Sequence, residues 1–221
     1  MNQAELLDLI ELAAQNESTE LNLANQAIEY LPPEIGRLSY LVQLDLDGNS
    51  FPNVPAEIGN LSRLEVLRLG GNRELKMIPQ EVFNLPRLTD LTLPGFETDA
   101  SSKIGDLRSL EILGFLIGSL KTLPEEIVNC TNLTELYVNF TFLEELPAWI
   151  GELINLRKLH LWNLSLEPSN PVAPPPISSI GLDYAGESRR YGMCEQRENW
   201  GQKQVALLHL MKRLEIRQLK W

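Results

Sequence analysis

The side chains best suited to acid–base chemistry are the two histidines of the chain, His160 and His209. His160 follows Tyr137 by 23 residues, and Glu135 lies two residues before that tyrosine. A histidine held beside a carboxylate can act as a general base. Nothing in the sequence resembles a nucleophile elbow or an oxyanion hole. The pair of His160 and Glu135 is also expected on an open surface that is exposed to water. We therefore expect His160 to serve recognition and the chain not to be an enzyme.

Metal and phosphate chemistry have equally little to build on. Asp45 and Asp47 could attract a cation, but two carboxylates on an open face are too few for a strong site. Neither Cys130 nor Cys194 has the spacing of a metal ligand. The phosphate-binding pattern G-x-x-x-x-G-K-[ST] is absent, and the glycines at 70 and 71 fit a turn in a repeat. The sequence predicts neither a metal nor a cofactor.

These residues belong to a pattern that repeats along most of the chain. Residues 41–85 contain twice the spacing Leu-x-x-Leu-x-Leu-x-x-Asn, followed by an apolar residue, Pro, Ile or Val, and Leu. Successive units open after 23, 23, 24, 22, 23 and 23 residues. A period of this length with this leucine spacing is typical of a leucine-rich repeat solenoid. The openings are Ser18, Leu41, Leu64, Leu88, Leu110, Leu133 and Leu156.

Each unit predicts one short strand and one return segment. Paired apolar residues two positions apart, such as Leu44 and Leu46, place one face of every strand toward a shared core. A proline opens most return segments, as Pro55 does, which favours a short helix or 3₁₀ turn. The predicted fold class is an α/β solenoid, a curved right-handed superhelix with seven parallel strands on its concave face and helical caps.

The 23-residue unit L-P-x-E-I-G-x-L resembles the repeats of bacterial Roco-type proteins, the Ras-suppressor group and the plant intracellular Ras-group proteins. The opening stretch ELLDLIELAAQNESTELNL is similar to the helix that precedes the first repeat in the bacterial members. This resemblance covers residues 4–171. It implies a signalling regulator that engages a small GTPase, although the GTPase domain of Roco proteins has no counterpart here.

The repeat changes in the second half of the chain. Its ninth position is Asn49 and Asn72 in two units, where an asparagine side chain bonds neighbouring backbone, but is not Asn elsewhere. The unit that opens at Leu88 also lacks the Leu-Pro pair, so its outer segment is expected to be an irregular loop.

Residues that point away from the core should line the concave face, which changes from small and polar to apolar and aromatic halfway along. Contiguous aromatic surface favours binding of another protein, since Tyr and Trp dominate interface hot spots. We expect binding of a protein or peptide there. The expected anchors are Leu116, Tyr137, Phe140, His160 and Trp162, and the charged residues expected to steer a partner are Asp45, Asp47, Arg68 and Lys158.

The two ends of the chain differ in composition from the repeats. We expect a capping helix within residues 1–17, repeats over 18–171, a proline-rich and irregular segment over 172–200, and a second capping helix over 201–221. Residues 183–221 carry eight Lys or Arg and five Asp or Glu, net +3, which leaves −14 for the rest of a chain of net charge −11. The alternative to partner binding is therefore a structural solenoid whose concave face is covered by its own tail.

Charge and hydropathy limit the classes of partner and the cellular location that we expect. A net charge of −11 disfavours nucleic acid, which is bound through Lys and Arg on phosphates. The sequence has no run of 18 apolar residues and no basic region followed by an apolar stretch at its start, so we expect a cytoplasmic monomer without a membrane segment. Cys130 stands where other units have leucine and is expected to be buried.

Overall fold

The structure, a computed structural model, describes residues 1–95, 99–139, 147–162 and 180–181. For residues 99–102, 162 and 180–181 it describes the backbone alone. The helix predicted within residues 1–17 is confirmed as α1, which spans Gln3–Gln15. Its first turn is closed by a capping box, because the Asn2 side chain accepts from the Glu5 N–H at 3.0 Å and the Glu5 carboxylate accepts from the Asn2 N–H at 2.9 Å.

Helix α1 covers the first repeat with one apolar stripe. The fully buried members of this stripe are Leu6, Ile10 and Ala13. Leu7 and Ala14 recur at helical spacing with Leu6 and Ile10, but both are only half-buried. The buried stripe therefore runs through Ala13.

One continuous sheet forms the concave side, and its strands follow one another in chain order. Strands β1 to β7 pair in parallel, with each residue opposite the residue one repeat later, as in Leu21, Leu44 and Leu67. The strands are β1 (Glu20–Asn22), β2 (Gln43–Asp45), β3 (Val66–Arg68), β4 (Asp90–Pro94), β5 (Ile112–Leu116), β6 (Glu135–Asn139) and β7 (Lys158–Trp162).

The core runs the length of the array between this sheet and the return segments. The inward-facing strand residues are all buried, and Leu44, Leu67, Leu91, Leu113 and Leu159 have no exposed surface. Cys130 is also fully buried, as its place in the leucine column predicted, and its thiol lies 3.2 Å from the Ile104 carbonyl oxygen. Each repeat thus buries its leucines only against its neighbours.

The convex side consists of short turns of helix, as predicted. Four are 3₁₀ helices at Pro33–Arg37, Ala56–Asn60, Glu125–Asn129 and Ala148–Glu152, and one is a single α-helical turn, α2, at Gln80–Phe83. The irregular loop expected after Leu88 is wrong for residues 99–106, which form a further 3₁₀ helix at Asp99–Asp106. Neighbouring turns pack closely at glycines: a Cβ on Gly36 would lie 2.5 Å from the Glu57 carbonyl oxygen.

The sheet widens halfway along the chain. Strands β1 to β3 have three residues each, and β4 to β7 have five. In the narrow half, the Asn49 amide donates to the carbonyls of Leu23 and Leu46, both at 2.9 Å, and its oxygen accepts from the N–H groups of Gln26 and Ile28. These bonds turn the chain out of the sheet. The four units that open at Leu88, Leu110, Leu133 and Leu156 have no asparagine at this position, and their strands are two residues longer.

The sequence predicted seven strands, but the sheet has eight. Strand β8 (Ile180–Gly181) lies within the segment expected to be irregular and pairs antiparallel with β7. The helix predicted at 201–221 lies outside the described residues. Within the described ranges, no helix is long and apolar enough to span a bilayer.

Candidate recognition surface

The concave face is organised in columns that cross the strands. The parallel register sets residues one repeat apart side by side, so that Arg68 stands opposite Thr92 and Tyr137 opposite His160. We call the column at the middle of the strands the central column. Its members are Asn22, Asp45, Arg68, Thr92, Gly114, Tyr137 and His160.

Four residues at the C-terminal end of the face form what we call the aromatic cluster: Glu135, Tyr137, Lys158 and His160. The rings of Tyr137 and His160 stack in parallel, with centroids 4.4 Å apart and planes 3° from parallel. The Tyr137 hydroxyl donates to Glu135 Oε2 at 2.5 Å, and Lys158 Nζ donates to Glu135 Oε1 at 2.8 Å. One carboxylate thus fixes both the ring of Tyr137 and the ammonium group of Lys158.

The cluster follows directly from the strand geometry. Glu135 and Lys158 are directly opposite each other on β6 and β7, as are Tyr137 and His160, and such cross-strand pairs stabilise sheets. Burial alone would raise the pKa of Glu135, but the hydrogen bonds from Lys158 and Tyr137 outweigh it and hold that pKa below its ordinary value. Glu135 is therefore charged at neutral pH, and the Glu135–Lys158 pair has no net charge.

The N-terminal half of the face carries three carboxylates around one guanidinium group, and we call Asp45, Asp47, Asp90 and Arg68 the aspartate cluster. Arg68 lies between two partners, with Nη1 3.8 Å from Asp45 Oδ2 and Nη2 3.6 Å from Asp90 Oδ2. The Asp47 carboxylate accepts a hydrogen bond from the Gly70 N–H at 2.7 Å. Three carboxylates against one arginine leave this half of the face acidic.

Burial and the charge of Asp45 raise the pKa of Asp47 to about 6. Burial likewise raises the pKa of Asp90, although the neighbouring Arg68 opposes it. Among the described residues, no group of three or more His, Cys, Asp or Glu side chains is arranged to hold a metal ion.

The structure brings six of the nine predicted site residues together in the two clusters. Tyr137, His160 and Lys158 come together in the aromatic cluster, and Asp45, Asp47 and Arg68 come together in the aspartate cluster.

The remaining three predicted residues lie apart from these contacts. Leu116 is half-buried and folds back toward Gly70, where an added Cβ would meet its Cδ1 at 3.0 Å. Trp162 occupies β7 opposite Asn139, with only its backbone described, and Phe140 lies outside the described residues.

Two residues outside the predicted set complete these clusters. Glu135 was considered only as the carboxylate beside His160 in a possible general-base pair, yet it binds Tyr137 and Lys158, and Asp90 pairs with Arg68. The signal for Glu135 was available, because Lys158 follows it by one repeat of 23 residues and must stand opposite it. Thr92, in the central column between Arg68 and Gly114, is only 9 % exposed.

Comparison with solved structures agrees with this architecture. A leucine-rich repeat protein of Leptospira interrogans is 30 % identical over 70 % of this chain and 39 % of its own, with a TM-score of 0.58. The plant peptide hormone receptor RGFR1 in complex with RGF2 is 34 % identical over 70 % of this chain and 26 % of its own, with a TM-score of 0.50. The chain thus spans well under half the length of either protein.

No protein-family model and no curated protein matches the chain. The repeat register, the continuous sheet and the two similar structures nevertheless agree with one another. The chain therefore has the curved α/β solenoid fold of leucine-rich repeat proteins.

Proposed function

We propose that the chain is a protein-interaction module that binds a peptide or protein on its concave face, with the aromatic cluster as its anchor. The observation that carries this proposal is the stacked pair Tyr137 and His160, held in place by Glu135 and Lys158. Tyrosine is among the residues that contribute most to binding energy at interfaces. Such a group needs no ordering when a partner arrives, so less of the interaction energy is lost.

The aspartate cluster gives the face a direction. Asp45 and Asp90 share Arg68, while Asp47 adds a third carboxylate to the same half of the face. A partner with a basic segment at one end and an apolar or aromatic side chain at the other would match both clusters. The charges would chiefly raise the rate of association, and the aromatic cluster would set the lifetime of the complex.

A similar structure supports a peptide as the partner. The plant receptor RGFR1 is a peptide hormone receptor in complex with RGF2, and this chain spans 26 % of it. The small GTPase that the Ras-suppressor resemblance implies would be a more specific partner for the same face. Binding of a small GTPase can be measured directly, alongside binding of the selected peptides.

The test is a selection of binders with matched variants. A random displayed peptide library is enriched on the immobilised full chain, and the affinity of the selected peptides is then measured for three proteins. These are the unaltered chain, the Tyr137→Ala/His160→Ala variant and the control Tyr30→Ala, which removes a tyrosine that is 56 % exposed and outside the concave columns.

We expect the double variant to bind more than about tenfold more weakly, because hot-spot truncation costs about 2 kcal/mol or more, and the control to bind normally. Circular dichroism establishes that each variant is folded. Equal affinity of the peptides for all three folded proteins would contradict the proposal. The affinity of nucleotide-loaded small GTPases is measured for the same three proteins.

A further inference from the structure

The last pair of strands differs from all the others. Strands β1 to β7 pair in parallel, whereas β8 runs antiparallel to β7, with Leu161 opposite Ile180 and His160 opposite Gly181. A repeat can only add a parallel strand, because every unit runs in the same direction. Strand β8 therefore does not continue the repeat but closes it.

An end of this kind needs closing for a physical reason. The outer edge of β7 presents backbone N–H and C=O groups, and an uncovered edge strand is a template for pairing with another chain. The inward residues Leu159 and Leu161 of β7 are buried, so the core reaches this last strand in full. At the opposite end, α1 packs against the 3₁₀ helix Pro33–Arg37 of the first repeat.

We propose that β8 is the chain's own edge-closing strand and that its pairing with β7 keeps the protein monomeric. When this pairing is lost, the β7 edge of a second copy takes its place. Two β7 edges related by a twofold axis run antiparallel, which is the polarity that β7 already accepts from β8. This inference is independent of partner binding on the concave face.

The register suits this role. The residue opposite His160 is a glycine, which adds no side chain next to the aromatic cluster. Strand β8 can therefore close the edge of the sheet without lengthening the central column. Edge closure and concave binding are thus separable, and each can be removed by mutation while the other is measured.

The test uses the full chain with two prolines in β8. In an antiparallel pair, hydrogen-bonded and non-hydrogen-bonded positions alternate, so Ile180→Pro/Gly181→Pro must remove whichever donor belongs to the ladder. The matched control is Ala185→Pro/Gly186→Pro, which makes the same chemical change outside β8. Amide hydrogen exchange of β7 and of the inner strand β5 is measured for all three proteins, together with molar mass by light scattering.

At concentrations where the β8 variant is monomeric, we expect exchange of its β7 amides to accelerate at least about tenfold, while β5 stays protected and shows that the array is folded. We also expect its mass to move, with rising concentration, from one chain of 25.0 kDa toward two. The control should behave as the unaltered chain. Unchanged exchange in β7, or faster exchange in a variant that stays monomeric, would overturn the proposal.

Discussion

Replacing Asp47 by Asn should make the protein more stable at neutral pH and leave its stability at acidic pH unchanged. Burial and the charge of Asp45 raise the pKa of Asp47 from 3.8 to about 6 in the folded state. A group whose pKa is raised by folding destabilises the fold when it is charged. Stability is therefore lost as the pH rises from about 4 to about 6, and the Asp47→Asn variant, which has no charge at this position, would not lose it.

The size of the effect follows from the pKa. A difference of about two in pKa corresponds to at most about 3 kcal/mol, and because Asp47 is half-buried we expect about 1–2 kcal/mol. The amide oxygen of Asn can still accept from the Gly70 N–H, so the Asp47→Asn variant keeps that hydrogen bond. For a chain of this length, the melting temperature should rise by about 3–6 °C at neutral pH.

The assay compares urea denaturation of the unaltered chain, Asp47→Asn and the control Glu74→Gln at pH values above 6 and below 4. The control removes the same charge from an exposed carboxylate, so its free energy of unfolding should change by less than about 0.5 kcal/mol at either pH. A variant Asp47→Asn that is no more stable than the unaltered chain at neutral pH would refute the reasoning. An advantage that persists in acid would refute it too.

Three other predictions concern the packing of the repeats. Asn49→Ala removes four hydrogen bonds to the backbone, so the free energy of unfolding measured in urea should fall by about 2–4 kcal/mol. A loss under about 1 kcal/mol would contradict the role of Asn49 in the turn. Gly36→Ala should lower the melting temperature, because its Cβ would lie 2.5 Å from the Glu57 oxygen; an unchanged melting temperature would refute this packing argument. Burial raises the pKa of the Cys130 thiol to about 11, so mass spectrometry should find it alkylated only after unfolding, and labelling of the folded chain would contradict its burial.

Leucine spacing was sufficient to predict the repeated part of the fold. The distance from Leu44 to Leu67 is one repeat, and the sheet pairs these two residues directly. The same arithmetic predicts that Tyr137 and His160 are neighbours, because period and register are equivalent in a parallel array. Asn49 and Asn72 were also correctly identified as residues that bond the backbone of their turns.

What the spacing did not predict depends on contacts between units. The ninth position of the first unit is Gln26 and not Asn, yet Asn49 of the next unit accepts from the Gln26 backbone N–H. The antiparallel strand β8 follows a different rule from the repeats, so no period could indicate it. The pairing of Arg68 with both Asp45 and Asp90 depends on where a flexible side chain lies between columns, which residue type alone does not determine.

The close contact between neighbouring convex turns has a consequence for the partner. Parallel strands lie about 4.8 Å apart, whereas α-helices packed side by side need about 8–10 Å, and a larger difference between the two sides bends an array more tightly. Here one outer contact joins two 3₁₀ turns at Gly36, and another joins a 3₁₀ turn to the single α-helical turn α2 at Gly59. Because these turns are narrow, we expect the sheet to be only weakly curved, and the proposed concave site to accept a folded domain as well as an extended peptide.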